Sequence, residues 1–174
     1  MVKHIIFMLF LCTGITAYGQ ETTEKGMRWM TLAEAEEAAK KEPRPILIDL
    51  YTDWCGWCKV MDKRTYRNEK VIKYLHSRFY PVKLDAETKS TLSYKGKAFS
   101  YNTQYKTNEI ALYLTGGQLS YPTTVIIPTT GEDPQPIPGY LAPGELELIV
   151  KFFGEGAYRK QEFTAYQKVF KGEW

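Results

Sequence analysis

The 174-residue chain is long enough for one domain with a real core, and its length alone argues against two. Its 44% hydrophobic and 25% charged residues are those of an ordinary globular protein. A net charge of +3 is too mild to imply nucleic acid or a membrane surface as a partner.

The first nineteen residues read as a secretory signal peptide. Lys3 and His4 open it, an apolar run from 5 to 15 follows, and Ala17-Tyr18-Gly19 supplies the small residues of a cleavage site near Gly19/Gln20. The run is too short to span a bilayer comfortably, which disfavours a membrane anchor. A lipoprotein reading through Cys12 is weaker, because Leu11 stands where a small residue is expected. Cleavage removes Lys3 and no acid, and it also removes Cys12, so the mature chain keeps only Cys55 and Cys58. An exported chain with a single close pair is not a disulfide-stapled scaffold, and the pair is read as chemical.

After a polar lead-in over 20–28, a helix is expected over 31–41, opened by a Thr31/Glu34 capping box and ended by Pro43 and Pro45. The apolar run 46–51 suits a strand buried on both faces, as in a parallel sheet. Helices over 59–64 and 69–78 and a second strand over 79–84 complete a right-handed βαβ unit. Further on come a hairpin over 91–101 turning at Lys95-Gly96, a helix over 105–114 and a β-branched strand over 123–127. An antiparallel edge strand over 137–140 and helices over 145–153 and 162–170 close the list, the first of these helices introduced by Pro143.

The pair Cys55-Gly56-Trp57-Cys58 lies where a buried strand ends and a helix begins. Disulfide exchange needs a thiolate, and a Cys at a helix N-terminus has its pKa lowered by unpaired N–H groups and the helix dipole. Cys55 is expected at the helix mouth, exposed to a partner, as the attacking group. Cys58, one turn on, is placed to resolve the mixed disulfide. Zinc requires four ligands, and only His76 is left as a further soft donor, so a metal is not expected. Covalent haem attachment fails because Lys59, not His, follows the second Cys. A buried structural pair would make Trp54 and Trp57, flanking a glycine, an odd choice for a plain turn.

The segment from Ile46 to Lys59, ILIDLYTDWCGWCK, resembles the active-site segment of the thioredoxin superfamily. Asp49, six residues before Cys55, corresponds to the family's buried carboxylate; Lys83 to its lysine on the next strand; Tyr121-Pro122 to its cis-proline element. The resemblance covers residues 44–153 and implies an α/β thioredoxin fold: a central mixed sheet flanked by helices, within a single domain over 20–174 that ends in a helical extension over 154–174. Two features depart from the pattern. Trp57 replaces the proline typical of thioredoxin itself, which leaves the direction of electron flow open. Thirty-six residues separate Asp85 from Pro122, so an insertion over 86–120 is expected to shape the substrate side.

The resemblance to secreted relatives of a periplasmic reducing domain implies an exported thiol–disulfide oxidoreductase, leaning towards reductase. The implied partners are protein disulfides, by transient mixed disulfide, and a membrane-bound or periplasmic thiol donor. The redox-active Cys55–Cys58 pair needs no separate cofactor. Asp49 would take the proton from Cys58, with Lys83 steadying its charge; the alternative for each is a strand residue reaching the surface. Trp54, Gly56, Trp57, Tyr121 and Pro122 would form the substrate surface, a cis peptide at Pro122 keeping a backbone edge open beside the sulfurs. Tyr94, Phe99, Tyr101, Tyr105 and Tyr113 read as local packing of the insertion, and His76 as an ordinary surface residue. An oxidase or isomerase, or a binding module with an inert dithiol, are the competing readings.

Overall fold

The computed structural model describes residues 26–129 and 132–174; the expected signal peptide, with Cys12, lies outside them. Four strands form the central sheet: β1 (Ile46–Tyr51), β2 (Tyr80–Asp85), β7 (Thr123–Ile127) and β8 (Gln135–Pro138), in the order β2-β1-β7-β8. β1 runs parallel to β2 and antiparallel to β7, and β8 lies antiparallel on β7. The sheet is therefore mixed. Its central strand β1 carries five consecutive buried residues, which explains why its sequence shows no polar alternation.

Alternate residues of β1 serve different cores. Ile46, Ile48 and Leu50 face one layer with Val82, Leu84, Val125 and Ile127. Leu32 and Ala35 of α1 (Leu32–Lys41) and Ile110, Ala111 and Leu114 of α4 (Glu109–Thr115) cover that face. Leu47 and Ile126 face the other layer, covered by α2 (Gly56–Arg64), α3 (Glu69–Arg78) and α5 (Pro143–Gly154) through Met61, Val71, Leu75, Leu146 and Val150. Leu47 is fully buried, so truncation to Ala would cost about 2–5 kcal/mol. Asp49, two residues after Leu47, points to this second face, beneath α2.

The caps follow the sequence. Thr31 and Glu34 form the reciprocal capping box of α1. Asn68 caps α3 and Asn108 caps α4 through their side-chain oxygens. The hairpin β3 (Leu92–Tyr94) and β4 (Lys97–Phe99) turns at Lys95-Gly96, both at positive φ.

Three local expectations differ. The helix over 105–114 is confined to Glu109–Thr115; the residues before it pair as β5 (Tyr101–Asn102) and β6 (Thr107–Asn108). Asn102 accepts the N–H groups of Gln104 and Tyr105, and Asn108 caps the helix, so both asparagines take the backbone away from a longer helix. Tyr94 and Phe99 do not pack only within the insertion: both enter the core beneath α1 and α4. His76 is no ordinary surface residue, since its Nε2 accepts the backbone N–H of Arg28 at 3.0 Å and so ties the lead-in to α3.

Candidate active site

β1 ends at Tyr51, and a tight turn through Thr52, Asp53 and Trp54 delivers Cys55 to the N-cap of α2. The Cys55 N–H donates to Thr52 O at 3.1 Å and fixes that turn. Cys55 Sγ in turn accepts the backbone N–H of Cys58 at 3.1 Å, one of the helix-start donors that would stabilise a thiolate. The two sulfurs are joined as a disulfide, with Cα atoms 5.3 Å apart. Gly56 is the first helical residue, and a side chain there would meet open space.

The expected exposure of Cys55 is corrected by the structure: it is only 4% exposed and Cys58 3%. In the disulfide both sulfurs are turned into the helix mouth. The flanking indoles provide the accessible surface, with Trp54 66% and Trp57 62% exposed. Trp54 stands edge-on to Tyr121 with ring centroids 5.8 Å apart, and its Nε1 donates to Glu87 Oε1 at 3.0 Å. Trp57 leans on Tyr140 at 5.6 Å. Two aromatic pairs thus frame the dithiol. Glu87 belongs to the start of the insertion, which accordingly reaches this end of the sheet.

Tyr121-Pro122 is cis and immediately precedes β7. The Pro122 carbonyl accepts from Gly139 N–H at 2.8 Å, so it is already engaged. The backbone N–H and carbonyl of Tyr121 have no hydrogen-bond partner among the described residues.

Beneath α2 the sheet carries charge. Asp49 is buried, and Lys83 Nζ donates to its Oδ2 at 3.1 Å across the parallel β1–β2 pair. Lys83 also bonds Asp62, which lies one helical turn after Cys58 on α2. The chain Asp49–Lys83–Asp62 therefore connects the sheet to the dithiol helix. The Lys83 ammonium also lies over the rings of Tyr51 and Trp29, at 4.9 and 5.3 Å.

Burial pushes the Asp49 carboxyl up to about 6, against the attraction of Lys83. Burial likewise opposes the Lys83 charge, but Asp49 and Asp62 outweigh it and raise its pKa. A carboxyl poised near 6 can hold or release a proton close to neutral pH.

Of the residues singled out in the sequence, the structure gathers Cys55, Cys58, Trp54, Gly56, Trp57, Tyr121 and Pro122 at one end of the sheet, with Asp49 and Lys83 under the dithiol helix. Sequence reasoning missed Asp62, Glu87, Tyr140, Tyr66 and Thr124. Only Asp62 left a signal, four residues after Cys58 and hence on the same helical face.

The comparisons with known proteins agree with this geometry. The family model Thioredox_DsbH, described as a protein of unknown function (DUF255), matches residues 11–136. The human Spermatogenesis-associated protein 20 is 35% identical over 54 residues, 31% of this chain and 7% of that protein. The thiol:disulfide interchange protein DsbD of Pectobacterium atrosepticum is 39% identical over 44 residues, 25% of this chain and 8% of that protein. The matched stretches thus span under a tenth of these relatives' lengths. The solution structure of a thioredoxin from Thermus thermophilus superposes with a TM-score of 0.54 at 20% identity, covering 79% of this chain and 98% of that one. The fold is the thioredoxin fold, and fold, relatives and the close Cys55–Cys58 pair together support a thiol–disulfide redox role. With the family model spanning well over half of its residues, the chain belongs to the Thioredox_DsbH family.

Proposed function

We propose that this is an exported thiol–disulfide oxidoreductase that works as a reductase on protein disulfides. The observation that carries the reading is a dithiol at a helix N-terminus, Cys55 Sγ facing the Cys58 N–H, with a buried Asp49–Lys83 pair beneath that helix.

The chemistry runs in two exchanges. In the reduced protein the Cys55 thiolate attacks one sulfur of a substrate disulfide, and a Cys55–substrate bond forms as the substrate S–S bond breaks. The departing substrate sulfur leaves as a thiolate and is protonated. Asp49, as carboxylate, accepts the proton of Cys58. The Cys58 thiolate then attacks Cys55 Sγ, closing the disulfide seen in the structure as the Cys55–substrate bond breaks, and the second substrate sulfur leaves as a thiolate that takes up the proton held by Asp49. Two electrons and two protons pass to the substrate, and no metal or nucleotide is required. A thiol donor in the membrane or the periplasm reopens the pair at the end of each cycle.

Docking would use the free Tyr121 backbone groups, on which an extended substrate segment can pair, and the Trp54 and Trp57 rings as an apolar rim. Because Cys55 is nearly buried in the disulfide, the rim meets the partner first.

The full chain is expected to accelerate reduction of insulin disulfides by dithiothreitol. Cys55→Ser should abolish this, and Cys58→Ser should accumulate the mixed disulfide with substrate. Unchanged activity in Cys55→Ser would overturn the proposal, and an oxidising potential for the pair would reverse the direction of electron flow.

A further inference from the structure

Among the described residues, the buried side-chain polar atoms without a hydrogen-bond partner are Asp49 Oδ1, Thr52 Oγ1, Tyr66 OH and Thr124 Oγ1. Three of them come together on the sheet face under α2. Asp49 and Thr124 are directly opposed in the β1–β7 register. Tyr66, in the turn that follows α2, packs in the same layer and is edge-on to Trp29 at 4.8 Å. The Tyr66 hydroxyl feels the Asp49 charge and lies beside the Thr124 hydroxyl as a weak hydrogen-bonding contact, but not in a geometry that satisfies either hydroxyl, and Asp49 Oδ1 is left without a partner. Asp49, Tyr66 and Thr124 are each at most 2% exposed.

Leaving one buried hydroxyl or carboxylate oxygen unsatisfied costs about 1–3 kcal/mol, and three such atoms in one place is a heavy cost for a core to carry. The three are chemically complementary: two hydroxyls that can donate and one carboxylate oxygen that accepts. A single small polar molecule meeting two to four such groups satisfies all of them.

We propose that Asp49 Oδ1, Tyr66 OH and Thr124 Oγ1 form a buried binding site for one water molecule, and that Tyr66 and Thr124 are thereby positioning residues for Asp49. The water passes hydrogen bonds from the hydroxyls to Oδ1, while Lys83 holds Oδ2. Both oxygens of the carboxylate are then fixed, and its ionised form is favoured against the burial that opposes it. The other charged or titratable groups facing Asp49 are Lys83 on β2, Asp62 on α2 and Tyr51 at the end of its own strand. The consequence for catalysis rests on Asp49 being the base for Cys58; the site itself does not.

The test is a carboxyl-carbon NMR titration of Asp49 in the disulfide form of the full chain, its signal assigned by loss in Asp49→Asn. Tyr66→Phe and Thr124→Val should each raise the Asp49 midpoint by about half a unit or more, as removal of a net hydrogen bond of about 1 kcal/mol requires. Thr124→Ser, which restores the hydroxyl, should bring the midpoint back and guards against a Val variant that fails to fold. Because one water serves both hydroxyls, the double variant should shift less than the sum of the two singles. An unmoved midpoint in either single variant, or strictly additive shifts, would overturn the shared site. The acid limb of insulin reduction should move with the midpoint; a titration that moves while the limb stays would reject Asp49 as the base and leave the site standing.

Discussion

A carboxylate in a core is a liability unless something uses it, and Asp49 shows the liability in its proton affinity. Its pKa rises from 3.8 to about 6 because burial disfavours the charge more than Lys83 favours it. The folded protein therefore binds a proton that the unfolded chain has already released, over the interval between those two values. Stability must fall as pH rises through that interval and level off above it. Moving the carboxyl from 3.8 to about 6 corresponds to roughly 3 kcal/mol, a substantial part of the roughly 5–15 kcal/mol that holds a domain together. Asp49→Asn removes the titration and keeps the shape. Denaturant unfolding of the disulfide forms should show the variant gaining on the wild type by about 2–3 kcal/mol between pH 4 and pH 7, with no further gain above. The subtraction cancels the other carboxylates, and a difference that stays flat with pH would show that Asp49 is not raised. Spacing from Cys55 made Asp49 legible in the sequence, and the strand after the crossover made Lys83 legible. Tyr66 and Thr124 were not, because their relation to Asp49 is made by a helix-end turn and an antiparallel register that join residues up to 75 positions apart.

Elements whose signal is local were read correctly from the chain. The capping box of α1, the Lys95-Gly96 hairpin and the apolar run of β1 each carry their instructions within a few residues. The segment after β2 was harder, since its order comes from one side chain acting at a distance. Asn108 is fully buried; its Oδ1 accepts the Ile110 N–H at 3.1 Å and caps α4, while its Nδ2 donates to Thr88 O at 3.1 Å and Ser90 O at 3.0 Å. It therefore pins the loop after β2 to the start of α4, and through that loop it supports Glu87 against Trp54. Asn108→Ala should cost about 2–4 kcal/mol, from a lost cap and two carbonyls deprived of their donor. Asn108→Asp keeps the cap but loses both donors, so it should fall between Ala and wild type in thermal unfolding. Equal stability of Asp and wild type would mean that only the cap matters.

At the scale of the whole molecule, the helical layer opposite α1 and α4 is closed by residues that follow the last helix. Glu147 of α5 has no exposed surface, although it is charged and α5 lies on the outside of the sheet. Its carboxylate is covered by the chain itself: it accepts the backbone N–H of Glu173 at 2.8 and 3.0 Å and that of Trp174 at 3.0 Å, and pairs with Lys151 at 2.8 Å. Lys151 also reaches Glu173 at 3.2 Å, and the Trp174 ring stands edge-on to Tyr74 of α3 at 5.4 Å. Phe163, in the helix expected over 162–170, meets Phe152 of this layer at 5.3 Å, but no pattern in the sequence announces a carboxylate that captures a later backbone. Burial works against the Glu147 charge, yet Lys151 and the two amides overcome it and hold the carboxyl below its ordinary 4.5. A depressed carboxyl stabilises the fold above its unfolded value and loses that stabilisation as pH falls through the folded one. Hydrogen exchange of the Glu173 and Trp174 amides should therefore be protected at neutral pH and lose protection, relative to the sheet, only on acidification below the ordinary glutamate range. Glu147→Ala should abolish that protection at every pH and lower global stability by about 3 kcal/mol, because Lys151 is left half-covered without its closest partner. Insulin reduction should persist in this variant, since Glu147 bonds Lys151 and the backbone of Glu173 and Trp174 rather than the dithiol or its aromatic rim. Protection that survives in Glu147→Ala would show that the Trp174 ring, and not the carboxylate, holds the segment down.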